Sequence, residues 1–415
     1  MMETTFLITL LAAILGFYMA WGIGANDVAN SMATAVGAKA ITARQAVLIA
    51  GILTAVGAIF IGSHVTGTVS KGILDVEGQS ENILIIGFMS ALLSAALWIT
   101  LASYLALPIS TTHSIVGAMI GFGLMAGGTA MVSWDVVGKI ALSWLLSPLC
   151  GALIAFLLFK LIVKMIFDKD NPDEAAIRLG PLFVFLTFFI IAASLLMKTN
   201  LGNKLGFGEE ILLPLVVSGM VACVAGLVGF YILRNIEKRA NGNGRYMRVE
   251  DLFRKLQVMT SCYVAIAIGA NDVANAIGPF MGIIAVTEHG FMPAEVTVPS
   301  WVLAIGGFGI AFGIFSYGYR VMKTIGHEIT ELTNTRGFSV DFAAATTVLM
   351  ASKLGMPVST THTVVGAVIG VGLARGLAAI DLRVIKKIAA SWLLTLPIAG
   401  ATCVGIFLLL RWIFI

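Results

Sequence analysis

The chain has 415 residues, of which 59% are hydrophobic and only 12% charged, with a mean hydropathy of +0.98. Soluble domains carry about a quarter charged residues, so a soluble globular fold is excluded, and a net charge of +4 spread over loops leaves no nucleic-acid patch. Apolar runs of about 20 residues recur from end to end and are rich in Gly and Ala, which specifies an all-α polytopic membrane protein rather than a barrel.

In chain order the apolar segments fall at 5–38, 44–62, 83–107, 109–128 and 136–165, then 181–197 and 211–233, then 257–286, 299–319, 341–356, 358–374 and 388–414. That predicts about 12 transmembrane segments in groups of five, two and five. Residues 6–21 have the length of a signal peptide's apolar core, but Glu3 is the only charge before them and no basic stretch precedes, so they are read as the first membrane segment. Pro108 and Pro357 interrupt otherwise continuous apolar stretches, and the Ser and Thr that follow them are good helix N-caps. Segment 341–356 is short and ends at Lys353, which suits a re-entrant hairpin better than two full spans. Gly24 and Gly269 predict a break in the helix that opens each group of five. Cys150, Cys223, Cys262 and Cys403 lie in apolar segments without metal-ligand spacing and are read as packing residues. The small-residue rows in 114–128 and 363–376 are read the same way. His64, His289 and His327 fall in loops or at segment ends.

The chain repeats itself. Gly24-Ala25-Asn26-Asp27-Val28-Ala29-Asn30 returns as Gly269-Ala270-Asn271-Asp272-Val273-Ala274-Asn275. Pro108-Ile109-Ser110-Thr111-Thr112-His113 returns as Pro357-Val358-Ser359-Thr360-Thr361-His362, and Ser143-Trp144 returns as Ser391-Trp392. Gly24, Ser110 and Trp144 recur at displacements of 245, 249 and 248 residues, which divides the chain into a first repeat, 1–165, a linker, 166–250, and a second repeat, 251–415. Seven segments separate the two starts, an odd number, so the repeats are expected to be inverted. Loop charges test this. Arg234, Lys238, Arg239, Arg245, Arg248, Arg254 and Lys255 mark a cytoplasmic connection in the linker. Alternation then places Lys39, Arg44, Arg375, Arg383, Lys386 and Lys387 inside, with Asp135, Glu288, Glu295 and both termini outside.

Asp27 and Asp272 lie deep in apolar runs, where an Asp costs about 2.5–3.5 kcal/mol on insertion scales. An intramembrane carboxylate is a functional-site candidate by default. Asp27 and Asn30, like Asp272 and Asn275, are spaced i, i+3 and share a helix face. Hard oxygen ligands without clustered His or Cys favour Na⁺, H⁺ or Mg²⁺ over soft metals. The Ser-Thr-Thr turns offer hydroxyls and free N–H groups at helix N-termini, an anion site. Inverted repeats with discontinuous helices bring such elements together near the bilayer midplane. The bland alternative is that membrane Ser and Thr glue helices together, but the doubled occurrence after Pro and before His favours a site. For His113 and His362, orienting the turn, capping its helix and touching the anion all stay open.

These paired motifs resemble the PiT inorganic phosphate transporters over both repeats, nearly the whole chain except the linker. The resemblance implies a symporter of inorganic phosphate with Na⁺ or H⁺ in the cell membrane, built from twelve segments in two inverted repeats and assembled as a homodimer. It places phosphate contacts at Asn26, Ser110, Thr111, Thr112, Asn271, Ser359, Thr360 and Thr361, and the coupling cations at Asp27, Asn30, Asp272 and Asn275. No catalytic residue and no organic cofactor are implied. Many relatives have His where this chain has Ile268, so proton coupling has less support than sodium coupling; the linker also lacks the long hydrophilic loop of animal members.

Three other readings compete. A sulfate or other oxyanion transporter would use the same donors, although phosphate can also donate a hydrogen bond to Asp27 or Asp272. An intramembrane hydrolase would use Ser110 or Ser359 with a His, but nucleophilic catalysis needs one asymmetric constellation and not two near-identical half-sites. A passive channel would not accumulate its solute against a gradient.

Overall fold

In the computed structural model the apolar segments become twelve long helices: α1 (Met2–Gly37), α2 (Ala43–Ile61), α3 (Glu81–Tyr104), α4 (Thr111–Gly127), α5 (Trp134–Ile162), α6 (Pro172–Leu196), α7 (Leu212–Arg239), α8 (Arg245–His289), α9 (Ser300–Gly313), α10 (Asn334–Lys353), α11 (Thr360–Arg375) and α12 (Leu382–Phe414). The structure describes residues 2–197, 199–207, 210–239, 245–293, 297–319, 332–376 and 382–415. Glu295 and His327 lie outside them, as do the side chains of Lys238, Arg239, Arg245 and Lys387. Among the described residues there is no strand, only an isolated bridge between Leu74 and Val132. Among the described residues ten helices are long and apolar enough to cross a membrane, and α10 and α11 are not among them. That pair is the hairpin expected from the short segment ending at Lys353.

The expected break at Gly24 and Gly269 is not there. Both α1 and α8 run unbroken through their Asn-Asp motifs, and α8 reaches 45 residues. The glycines serve a different purpose, which is close crossing. A Cβ on Gly24 would sit 1.9 Å from the Ile310 carbonyl oxygen of α9, and one on Gly269 1.9 Å from that of Thr54 in α2. Gly313 meets the Trp21 carbonyl and Gly57 the Ile266 carbonyl at 2.0 Å in the same way. Small residues let membrane helices approach backbone to backbone, so α1 is seated against α9 and α8 against α2.

The re-entrant helices are exchanged as well. Gly117 and Gly121 of α4 face the Leu396 and Gly400 backbone of α12, and Gly366 and Gly370 of α11 face Pro148 and Ala152 of α5. Each element of 1–165 is thus packed on a partner from 251–415, which explains the small-residue rows. The linker helix α6 lies along α8 and α10: Phe183 meets Phe338 at 5.2 Å between ring centroids, and Ile190, Ile191 and Leu195 pack against the cluster holding Tyr263, Phe342 and Leu349. The cysteines fit the packing role only in part. Cys403 is buried, but Cys150 and Cys223 lie on the exposed surface, because nothing in an apolar run tells the lipid-facing stripe from the packed one.

Gly24→Ala and Gly269→Ala should each abolish folded yield, because a methyl at 1.9 Å from a backbone oxygen cannot be absorbed by a side-chain shift; overpacking costs about 1–3 kcal/mol or more. Gly138→Ala in α5, where a Cβ meets nothing within 4 Å, is the control. Monodisperse yield in detergent checks both expectations.

Candidate functional site

Each re-entrant turn is built by its own sequence. The chain leaves α3 at Tyr104, reverses through Ala106 at φ +53°, passes Pro108 and restarts as α4; the second turn leaves α10 at Lys353 and reverses through Gly355 at φ +67°. Ser110 Oγ accepts from the His113 N–H, and Ser359 Oγ from the His362 N–H, both at 3.2 Å, as N-caps do. The first-turn N–H groups of α4 and α11 have no partner within their helices, and both helix starts are buried.

The turns bring the motif residues together. Thr111 Oγ1 donates to Asp27 Oδ2 at 2.9 Å and Thr360 Oγ1 to Asp272 Oδ2 at 3.0 Å, so each carboxylate is held by the turn of its own repeat. The next threonine crosses over: Thr112 Oγ1 donates to the Val358 carbonyl at 3.0 Å and Thr361 Oγ1 to the Ile109 carbonyl at 3.1 Å. The second asparagines cross over too. Asn30 donates to Thr361 Oγ1 at 2.8 Å and to Asp27 Oδ1 at 2.9 Å, while Asn275 donates to Thr112 Oγ1 at 3.1 Å. Asn26 faces elsewhere. It donates to Ser103 Oγ at 3.0 Å and to the Leu107 carbonyl at 3.3 Å, and the Asn271 amide lies 3.0 Å from Ser352 Oγ, so these two amides hold the rims of the turns.

Asp27 and Asp272 are 1% and 0% exposed and come within hydrogen-bonding reach of each other. Two carboxylates so placed repel unless a cation or a proton sits between them. The donor types suit a hard cation, since Asn275 Oδ1 is a buried carbonyl oxygen without a hydrogen-bond partner, and its own amide nitrogen bonds Thr112 Oγ1. Among the described residues no cluster of three His, Cys, Asp or Glu occurs. Behind the turns, the His113 and His362 rings meet edge to face at 4.5 Å between centroids, and each lies against the tryptophan of its own repeat, Trp144 at 3.8 Å and Trp392 at 3.5 Å.

Repeat logic missed one buried carboxylate. Asp341 of α10 is 1% exposed and accepts from Thr34 Oγ1 of α1 at 2.8 Å and from Ser261 Oγ of α8 at 2.6 Å. Displaced by 249 residues, its position in the first repeat is Leu92, so no pairing pointed to it. An Asp flanked by Val340 and Phe342 in an apolar run was the available signal.

The sequence matches the phosphate transporter family over residues 23–403. A Pyrococcus furiosus protein carrying a phosphate permease name is 50% identical over 402 residues, 96% of this chain and 95% of that one. The chloroplastic inorganic phosphate transporter 2-1 of Arabidopsis thaliana is 42% identical, over 99% of this chain and 73% of its own length. A solved structure described as the sodium-dependent phosphate transporter superposes with a TM-score of 0.93 at 45% identity, covering 98% of this chain and 100% of that one.

Asp341→Asn puts an N–H donor where one of two hydroxyls now donates, and a lost hydrogen bond to a charged group costs about 1.5–3 kcal/mol. The expected outcome is a clearly lowered melting temperature in detergent with the protein still folded.

Proposed function

The chain belongs to the phosphate transporter family, and we propose that it imports inorganic phosphate across the cell membrane by symport with Na⁺, with H⁺ as the second choice. Family membership makes it a transporter and not an enzyme. The observation that carries the reading is the doubled site, in which two helix N-termini and two carboxylates meet and each repeat reaches across to the other. Sodium is favoured by the hard oxygen ligands and by the solved structure at 45% identity, which is described as sodium-dependent.

The proposed roles follow from charge. Asp27, Asn30, Asp272 and Asn275 take the cations; Ser110, Thr111, Thr112, Ser359, Thr360 and Thr361, with the first-turn N–H groups, take the phosphate. Asn26 and Asn271 support the turns from their rims and His113 and His362 from behind. Bare carboxylates repel a phosphate anion, whereas cations on them reverse the local sign. Cation binding therefore favours anion binding, and by linkage the reverse holds too. That reciprocity is what symport requires. The remaining assignments are two inverted repeats, 1–165 and 251–415, joined by the linker 166–250, with both termini extracellular and the chain a homodimer.

Uptake into proteoliposomes under imposed Na⁺ or pH gradients tests the function. Asp27→Asn and Asp272→Asn should fold and lose the Na⁺ dependence; unchanged ion dependence in either makes that carboxylate structural. Thr112→Val and Thr361→Val remove only a hydroxyl, and losing a bond to an ionised phosphate, about 1.5–3 kcal/mol, should weaken apparent affinity roughly ten- to a hundredfold in both. Helix glue instead predicts unchanged affinity and about 0.6 kcal/mol of stability.

Single cysteines in 129–138 should react from the outside and those in 375–387 from the inside. Labelling from one common side would end the inverted arrangement.

A further inference from the structure

The two turns are a matched pair inside one molecule, so a difference in what surrounds them is informative. Their internal bonds agree: the Ala106 N–H donates to the Ser103 carbonyl at 3.1 Å and the Gly355 N–H to the Ser352 carbonyl at 3.0 Å. Their anchors do not agree. Leu105 and its counterpart Leu354 are both exposed, at 55% and 74%, but at the first rim Tyr104 is 73% exposed too and its hydroxyl makes no hydrogen bond among the described residues. At the second rim Lys353 takes the place of Tyr104. Its ammonium donates to the Met197 carbonyl and lies 3.2 Å from His64 Nε2, while Thr68 Oγ1 donates to the Gly355 carbonyl at 2.7 Å.

The ammonium sits where two helices end. Lys353 is the last residue of α10, and Met197 is the residue that follows α6. Helix C-termini carry about half a negative charge each, so one cation between them joins the two ends electrostatically as well as by its hydrogen bond. The interface it closes is apolar along its length, with Ile190, Ile191 and Leu195 of α6 in the cluster of Phe342, Ala345 and Leu349. Lys353 also adjoins Ser352, whose hydroxyl meets Asn271, the residue before Asp272.

We infer that Lys353 is a positioning residue for the substrate turn: it staples the second Ser-Thr-Thr turn to the linker helix α6 and to residues 64–68, an anchor that the first turn lacks among the described residues. The second half-site is thereby held in its binding geometry while the first is free to adjust. This also gives the linker, which belongs to neither repeat, a part in the site.

The inference rests on the turns being the phosphate site, so one arm of the test reads the anchor without substrate. Nitroxide labels placed singly at Leu105 and at Leu354, in protein whose cysteines have been replaced, report the mobility of each rim. The label at 354 should be the more immobilised and should loosen when Lys353→Met is added. Equal mobility at the two rims, or no loosening, overturns the inference whatever the protein carries. In uptake assays with inorganic phosphate, Lys353→Met should raise the half-saturating concentration about three- to tenfold at a near-unchanged melting temperature. Lys353→Arg should restore most of that loss, and Tyr104→Met should leave affinity as it was. A loosened rim with unchanged affinity overturns the positioning role; if Thr112→Val and Thr361→Val also leave affinity unchanged, the phosphate reading has failed with it. Should Lys353→Met not fold, the comparison of labels at 105 and 354 in the otherwise native chain decides alone.

Discussion

Two carboxylates buried among membrane helices are the constraint on which this architecture depends. Asp27 and Asp272 have no water to solvate them, so each needs donors that arrive through protein. A transmembrane helix cannot spare its own N–H groups, since all but the first turn are spent within it. Donors must therefore be side chains, such as Asn30 of the same helix, or come from a place where another helix starts, and Pro108 and Pro357 precede such starts. The turns supply part of that need: Thr111 and Thr360 are the first residues of α4 and α11, and both donate to an Asp.

A helix that starts mid-bilayer leaves polar backbone at apolar depth, and such backbone is tolerated only where protein covers it. Here the cover comes from the opposite repeat. Thr112 and Thr361 bind carbonyls of the other turn, and the glycine rows of α4 and α11 bring α12 and α5 to within backbone contact. Neither repeat satisfies every carbonyl of its own turn. A chain cut into separate repeats would leave Ile109 and Val358 carbonyls without their threonine donors, so duplication and interlocking are one requirement.

Much of this was legible in the sequence, because a polar motif in an apolar run stands out and repetition doubles the signal. The helical class, the Ser N-caps, the hairpin ending at Lys353 and the gathering of the Asn-Asp and Ser-Thr-Thr motifs were all within reach; that Thr111 and Thr360 would bond the carboxylates themselves was not. The glycines misled, since a Gly beside Asn-Asp reads alike as a helix break and as a crossing point, and only the partner helix decides. At Gly24 the partner is α9, nearly three hundred residues away. Asp341 was passed over for a different reason. Its partners Thr34 and Ser261 lie on two other helices, and nothing in the first repeat echoes it. Asn26 and Asn271 were read as phosphate contacts, and no spacing rule told that their amides would face Ser103, Leu107 and Ser352 at the rims of the turns.

The departures from symmetry have a thermodynamic meaning. In an ideal inverted duplication, exchanging the conformations of the two repeats converts an inward-facing protein into an outward-facing one of equal energy. Any contact present in one repeat alone lifts that degeneracy. Asp341 with Thr34 and Ser261, and Lys353 with Met197, are such contacts, absent at Leu92 and Tyr104. A single net hydrogen bond of about 1 kcal/mol, made in one state and lost in the other, shifts their ratio roughly fivefold. The threonine bonds of the two turns stay matched to within a few tenths of an ångström. Symmetry is kept in the crossed threonine contacts that lock the two turns together, and it is relaxed at Asp341 and Lys353, where only the balance between the two orientations is at stake.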